Sequence, residues 1–563
     1  MPLKAPPLRF MDSTAFAHAH WRDSPFGAPS ADLVHESLPD ALFRAASLWP
    51  DRAAVLADGR TYSFEELSHR VLGLAEEIRA WEIGRGPIGL LLSPGVDLVA
   101  AWFACSLAGS PFVLLEPTHP TAHLKALLER AGCSACLVDE RTAPALEALP
   151  LVRLFRSDGR RRQEKFGGGL PPEDVAILFP TSGSTGQPKL ITYAATTLQA
   201  KVQSSVLLMD IGGPTRVLIA GSASNFGFLH HALVFLFSGS ALYLADVKIE
   251  GFSGVVRAIQ KGGVRQVRFT PSLFRHLVQV PEARASLGLL DAVRFSGEPL
   301  LKSDLSLAAE VLQPDCRIQN VYGSTESAIF IWRTTAGASQ DLDSTVPIGH
   351  IYPLSSYWIR PLDAENQRAG TGELLIKSRF HALGDFEGGA VHTHRFPLLK
   401  GSDERLYATG DLVSEGADGQ LYHLGRVGRM VKVRGQRVFL TEVEEGLRAV
   451  PGVQGAAVVE RTSPQGDVSL HAFVTTEHHS VSVEAVRAQL VGNLPDYMVP
   501  KSIEVLAQIP VLPGGKTDYE GLKGMRPKAN PLEEEEKGGG AGPYQALVRI
   551  WDRLLFDGAH AQH

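Results

Sequence analysis

Val175-Ala176-Ile177-Leu178-Phe179-Pro180-Thr181-Ser182-Gly183-Ser184-Thr185-Gly186-Gln187-Pro188-Lys189 is an apolar run that ends in small hydroxyl residues and glycines. A short uninterrupted apolar run bounded by turn formers reads as a strand covered on both faces. The loop behind it offers backbone N–H groups and hydroxyls to an anion, so it can cradle phosphates. It is not a Walker P-loop: Lys189 does not follow a glycine, and no Gly-Lys-Ser/Thr opens a helix there. Gly515-Lys516-Thr517 ends like one, but Pro510 stands where its first glycine should be. Taken alone, the 182–188 loop is equally well a Gly/Ser-rich turn.

Outward from this strand the chain alternates between two periods. Upstream, helical patterns over 64–78, 98–107 and 123–131 separate the apolar segments 88–92, 112–115 and 135–138. Downstream, strands are expected near 217–220, 241–244, 266–269 and 292–295. Short apolar strands between helices predict parallel α/β sheets with both faces covered. The basic stretch from Arg156 to Lys165, closed by Gly167-Gly168-Gly169, reads as a surface linker. After Asp341 the strands become shorter and Gly-punctuated, at 357–359, 372–376 and 420–424, which predicts a β-rich subdomain. Beyond Gly425 a compact α+β unit is expected, with helices over 441–450 and 483–494 and strands over 455–459 and 469–474. The tail carries Glu533-Glu534-Glu535-Glu536 and Gly538-Gly539-Gly540, a solvated linker, and then a short amphipathic helix over 544–555.

Composition sets the outer limits. The 563 residues predict about three to five domains or subdomains at ~100–200 residues each. With 44% hydrophobic and 21% charged residues, global disorder is excluded. Lys and Arg number 55 against 61 Asp and Glu, so no basic excess is available for nucleic acid. Four cysteines cannot make a disulfide framework, which points to a reducing, cytoplasmic setting. The lone Cys133-Ser134-Ala135-Cys136 lacks the second pair a zinc knuckle needs and reads as small residues entering a strand. His230-His231 and His381, His392 and His394 have no supporting ligand spacing and read as packed or surface histidines. Residues 1–26 show no signal-peptide pattern, and the uncharged stretch 98–115 is interrupted by Ser106, Gly109, Ser110 and Pro111, so no membrane span is expected.

Further motifs follow the first in order: Asn320-Val321-Tyr322-Gly323-Ser324-Thr325-Glu326, Gly370-Thr371-Gly372-Glu373-Leu374 and Tyr407-Ala408-Thr409-Gly410-Asp411. Gly425-Arg426 with Val431-Lys432-Val433-Arg434-Gly435 comes next, then Leu494-Pro495-Asp496-Tyr497-Met498-Val499-Pro500 and Pro513-Gly514-Gly515-Lys516. Together these resemble the adenylate-forming superfamily of acyl-CoA synthetases, luciferases and nonribosomal peptide synthetase adenylation domains, over roughly residues 35–522. Leu494–Pro500 and Gly109-Ser110-Pro111-Phe112-Val113-Leu114-Leu115-Glu116-Pro117 lean towards the peptide-synthetase branch.

The resemblance implies a large N-terminal domain (1–425) of two parallel α/β subdomains plus a β-rich one, which binds ATP and a carboxylic acid. A small mobile α+β domain (426–525) would follow, and 526–563 would be a linker with either a helical tail or the first helix of a carrier-protein domain. It also implies two steps: formation of an acyl-adenylate with loss of pyrophosphate, then capture by a thiol. Thr181, Ser182, Gly183, Ser184, Thr185 and Gly186, with Lys189 at the loop's end, would hold the phosphates. Asn320, Tyr322 and Gly323 would receive adenine, Asp411 the ribose hydroxyls and Arg426 the ribose or phosphates. Thr325 would contact the α-phosphate, Glu326 would hold Mg²⁺, and Lys516 would act catalytically between carboxylate and phosphate. Departures are Gly428 where the family usually has an Asp or Lys hinge, and Gly514 where the last loop usually has Asn.

The same resemblance lines the acid pocket with Asn225, Phe226, Gly227, His230, Ser272, Arg294, Ser296, Val321, Ile329 and Phe330. Peptide-synthetase domains typically pair the substrate ammonium with an aspartate at the start of this helix, where this chain has Phe226, or Asn225 if the alignment slips by one. No Asp or Glu occurs between Asp210 and Asp246. A buried ammonium without a partner is costly, so the acid is expected to be aryl, aliphatic or β-amino. Arg294 either holds a polar or anionic substituent or faces out of its strand. The acceptor is expected to be a phosphopantetheinylated carrier protein. Free CoA, or a non-catalytic binding role, are the alternatives.

Overall fold

The computed structural model describes residues 37–146, 152–154, 169–181, 189–338, 345–362, 370–462, 468–476, 481–511 and 517–525, less 85, 172, 212, 246, 328, 353–354 and 434–435, together with 10–11 and 22–23. The chain divides into two compact units, residues 1–428 and 429–563. Among the described residues, no helix is long and apolar enough to cross a membrane.

The first unit holds three sheets. One runs, in spatial order, through Ala390–His392, Gly384–Glu387, Lys189–Ala194, Val175–Thr181, Phe112–Leu114, Ile88–Leu91, Ala135–Val138 and Val152–Leu154. Its members from Val175–Thr181 onward are parallel, and Lys189–Ala194 pairs antiparallel with Val175–Thr181. The three central strands Phe112–Leu114, Ile88–Leu91 and Ala135–Val138 are fully buried, as their unbroken apolar runs require. The helix Phe64–Ala80 starts at a capping box in which Ser63 and Glu66 satisfy each other's backbone N–H groups. The helix Val96–Ala108 is buried along almost its whole length, which is why its sequence lacks a polar face.

The second sheet has a parallel centre: Arg317–Tyr322, Ala292–Ser296, Gln266–Phe269, Arg216–Ala220, Ala241–Ala245 and Ala53–Ala57. From Arg216–Ala220 the chain moves one way to Ala241–Ala245 and then back past it to Gln266–Phe269. Strand order therefore reverses beside Arg216–Ala220, and such a reversal opens a crevice at the carboxyl ends of the strands. The third sheet is mainly antiparallel, built from Ser355–Arg360, Thr371–Ser378, Arg405–Glu415 and Leu421–Arg426 with short edge strands. Together these are the parallel and β-rich parts anticipated from the sequence.

The second unit packs helices Leu440–Arg448, Val483–Asn493 and Tyr519–Gly524 with the strands Val453–Thr462, Val468–Thr476 and Ser502–Val505. Glu444, almost fully buried, is paired with Arg429 and Arg448 and also accepts from the Val458 N–H. The motif glycines Gly435, Gly514 and Gly515 lie outside the described residues, as do the 156–165 stretch and the 544–555 segment.

Candidate active site

The ends of the first motif are in place, while Ser182, Gly183, Ser184, Thr185 and Gly186 lie outside the described residues. Thr181 and Lys189 are register partners at the mouth of the hairpin that this loop closes. Lys516 is likewise outside the described residues.

The second motif ends the strand Arg317–Tyr322 and runs into a turn. Its turn is held from below: the Tyr193 hydroxyl donates to the Thr325 carbonyl at 2.6 Å, and Lys201 Nζ donates to the Ser327 carbonyl. Both donors are fully buried. Burial pulls Lys201 down to about 7 while the charge of Glu326 pulls it back up. Arg395 bridges Glu326 (3.2 Å) and Asp385 (2.7 Å) and lies over the rings of Phe396 and Tyr407.

For Mg²⁺ the donor set fits. Mg²⁺ binds through one or two carboxylates plus substrate phosphates and water. Glu326 offers one carboxylate on the turn next to the Thr325 hydroxyl, with only one of its oxygens on Arg395. Among the described residues no group of three His, Cys, Asp or Glu stands ready as a dedicated metal cage.

Nucleotide-binding candidates gather where the second sheet meets the third: Asn320 and Tyr322 end a strand of the second, and Asp411 and Arg426 pair on the third. Asp411 accepts from the Tyr322 hydroxyl (2.5 Å) and from Arg426 (2.9 Å), with His423 at 3.8 Å. Burial alone would raise the Asp411 pKa, but these partners hold it below the usual carboxylate range. Burial, reinforced by Asp411, pushes the Tyr322 phenol well up, so it stays a hydrogen-bond donor. Asn320 is buried and its Nδ2 donates to the Pro347 carbonyl at 2.8 Å; among the described residues no donor is bonded to its side-chain oxygen. Gly323 is exposed, and Gly428 sits in a single turn, Val427–Arg429, with open space where a side chain would project.

The acid-pocket candidates divide into two groups. Asn225 caps the helix Phe226–Phe237, its oxygen accepting from the Gly227 N–H at 2.7 Å. Phe226 is stacked between Tyr193 (5.3 Å) and His230 (5.5 Å), and Lys201 Nζ lies 4.2 Å from its ring centroid. His230 is fully buried and bonds Ser205 Oγ at 2.8 Å; burial holds its pKa well below the usual range, so it is neutral. Val321 and Ile329 belong to the same buried cluster as Phe226. Phe330 packs elsewhere, in a cluster with Tyr322 and Tyr357. Ser272 is tied to Glu298 through both its N–H and its hydroxyl.

Arg294 is fully buried and does not face out of its strand. Its guanidinium donates to Gln266 Oε1 and the Met209 carbonyl and stacks on Phe235, about two and a half turns along the helix from Phe226. Beside Asn225 and Gly227 stands Arg268, bonded to Ser296 Oγ at 2.7 Å. Arg268, Lys201, Tyr193 and Arg395 were not singled out from the sequence. Of these, Arg268 carried a readable signal, a charge inside a short strand between apolar Val267 and Phe269.

Residues 42–384 match the AMP-binding enzyme family and 442–516 match the AMP-binding enzyme C-terminal domain. The chain is 29% identical over 543 residues to the L-allo-isoleucine:holo-CmaA peptidyl-carrier protein ligase of Pseudomonas savastanoi pv. glycinea, covering 92% of this chain and 87% of that one. It is 27% identical to surfactin synthase subunit 3 of Bacillus subtilis (strain 168), covering 93% of this chain but 41% of that protein. Among solved structures, o-succinylbenzoate CoA synthetase from Bacillus subtilis in complex with its acyl-adenylate intermediate superposes with a TM-score of 0.73 at 22% identity, over 87% of this chain and 99% of that one. NpsA of Klebsiella oxytoca in complex with 3-hydroxyanthranilyl-AMSN gives 0.71 at 23%, over 87% and 99%. These two show the fold.

Proposed function

The chain belongs to the AMP-binding enzyme family and is an adenylate-forming acid–thiol ligase that uses ATP, and from that premise we propose that it activates an aryl, aliphatic or β-amino acid and transfers it to the phosphopantetheine thiol of a carrier protein. The observation that carries the substrate reading is the surrounding of Phe226. Where an ammonium-binding carboxylate would serve an α-amino acid, an aromatic ring stands with the buried Lys201 amine 4.2 Å from its centroid. A second buried cation there would have no partner and a like-charged neighbour.

In the proposed reaction the acid's carboxylate attacks the α-phosphorus of ATP and pyrophosphate leaves. A thiolate then attacks the acyl carbon and AMP leaves. Both reactants of the first step are anions, so the protein's work is positioning and neutralisation. Thr181 and the 182–186 loop hold the departing phosphates, Thr325 donates to the α-phosphate, and Asp411 and Tyr322 orient the nucleoside. Glu326 would hold Mg²⁺, whose charge offsets that of the phosphates. Lys516, in the proposed lid (426–525), supplies positive charge between carboxylate and phosphate as they join.

A panel of acids in ATP–pyrophosphate exchange tests the substrate class. Highest activity is expected with benzoic, alkanoic or β-amino acids, and highest activity with a proteinogenic L-α-amino acid overturns it. The second reading, a CoA ligase, is favoured by the likeness in fold to a CoA synthetase. Acyl transfer to CoA outpacing transfer to a phosphopantetheinylated carrier would select it.

A further inference from the structure

Every residue of the strand Gln266–Phe269 is buried, yet its third residue is an arginine. Arg268 is 5% exposed. Its Nε donates to Ser296 Oγ at 2.7 Å and its Nη1 reaches the Ala220 carbonyl at 3.5 Å. Among the described residues, Nη2 donates to no protein group, and no carboxylate lies within 4.0 Å of the guanidinium. Burial lowers its pKa to about 10, partly offset by Glu298, so the side chain is charged at neutral pH.

That open edge has a definite direction. Nη2 lies 3.2 Å from where a Cβ on Gly227 would stand, the same point being 3.2 Å from Asn225 Oδ1. Any side chain at 227 would press on both groups, so the missing Cβ keeps this edge of the guanidinium clear. The place is the first turn of the helix Phe226–Phe237, whose positive dipole end also favours negative charge, although the Gly227 and Phe228 N–H groups are already bonded to Asn225. It stands at the carboxyl ends of Arg216–Ala220 and Gln266–Phe269, where the strand order reverses. Carboxylates on flanking elements are otherwise engaged: Glu298 with Ser272, and Glu116 with Ser222 and Thr118.

We propose that Arg268 receives a second carboxylate of the substrate, so that the acid is a dicarboxylate whose far group pairs with the guanidinium while its near group is adenylated. This rests on the acid-activating reading above and narrows it. A planar guanidinium with one free edge takes a carboxylate through charge-assisted hydrogen bonds, and no ammonium or apolar group satisfies it. Specificity follows because a neutral substrate leaves a buried charge unpaired.

The test is pyrophosphate exchange on matched acids, glutarate against glutaramate and terephthalate against terephthalamate, each pair differing in one carboxylate and its carboxamide. The dicarboxylate is expected to win in kcat/KM by at least ~30-fold in one pair or both. In Arg268→Met that ratio should fall to about one, and Arg268→Lys should restore part of it; using a ratio cancels losses common to both acids. A wild-type enzyme that prefers the carboxamides or shows no preference, or an Arg268→Met variant that keeps the dicarboxylate preference, overturns the assignment and leaves acid activation standing. Exchange with none of these acids, nor with benzoic, alkanoic or β-amino acids, overturns the underlying reading together with it. If Arg268→Met does not fold, the wild-type ratios and Arg268→Lys decide.

Discussion

The Tyr193 hydroxyl donates to the main-chain carbonyl of Thr325 at 2.6 Å, joining two motifs that stand 132 residues apart. Tyr193 lies on the strand leaving the 182–188 loop, so the turn that carries Thr325 and Glu326 is anchored to the same hairpin. Lys201, 3.3 Å from the Tyr193 hydroxyl, secures the next carbonyl but one. Tyr193→Phe leaves these buried groups short of a partner, at a cost of about 1–3 kcal/mol. Exchange kcat should fall roughly tenfold with a lower urea midpoint; an unchanged kcat at reduced stability would show that the bond supports the fold alone.

Asp411 gathers Tyr322, Arg426 and His423 about one carboxylate. Asp411→Asn preserves shape but removes the charge and replaces an acceptor by a donor facing Arg426. KM for ATP should rise by roughly tenfold or more, while KM for the acid changes little. Equal change in both constants would mean general disruption rather than loss of a nucleoside contact.

Lys516→Ala should cut adenylation far more than ATP binding, because its charge acts mainly as the transition state forms. Thioester formation from preformed acyl-adenylate should survive. Comparable loss of both half-reactions would refute this division of labour.

His231 is buried, with Nδ1 2.7 Å from the Gly227 carbonyl, and burial lowers its pKa to about 3. The unfolded imidazole titrates near ~6.5, so between pH 6.5 and about 3 the unfolded state binds the extra proton. Stability is therefore full above 6.5 and is lost as pH falls through this window. One such proton contributes a slope of ~1.4 kcal/mol per pH unit. Unfolding free energies from urea melts of His231→Gln at pH 7, 6 and 5 should show a slope shallower by up to that amount; an unaltered slope would assign the acid sensitivity to other groups.

The alternation of short apolar strands and helices determined the α/β class by itself, because a strand buried on both faces and an amphipathic helix impose different periods on their residues. Ser63 and Glu66 mark the start of Phe64–Ala80 for a similarly local reason, a reciprocal cap within one turn. The ordered motifs were legible because each is a short segment whose chemistry is carried by neighbours in sequence. What the sequence alone left undetermined depends on partners far along the chain. Nothing within 266–269 or 292–296 says which arginine serves the crevice. Arg268 and Arg294 are register partners on adjacent parallel strands, so their side chains share one face of the sheet. The tertiary structure separates them: Ser296 and the Ala220 carbonyl draw Arg268 to the carboxyl ends of the strands, while Gln266 and the Met209 carbonyl draw Arg294 the other way. A long flexible side chain takes its direction from whichever acceptors packing brings near, and those acceptors come from strands and loops whose order in space no local pattern encodes.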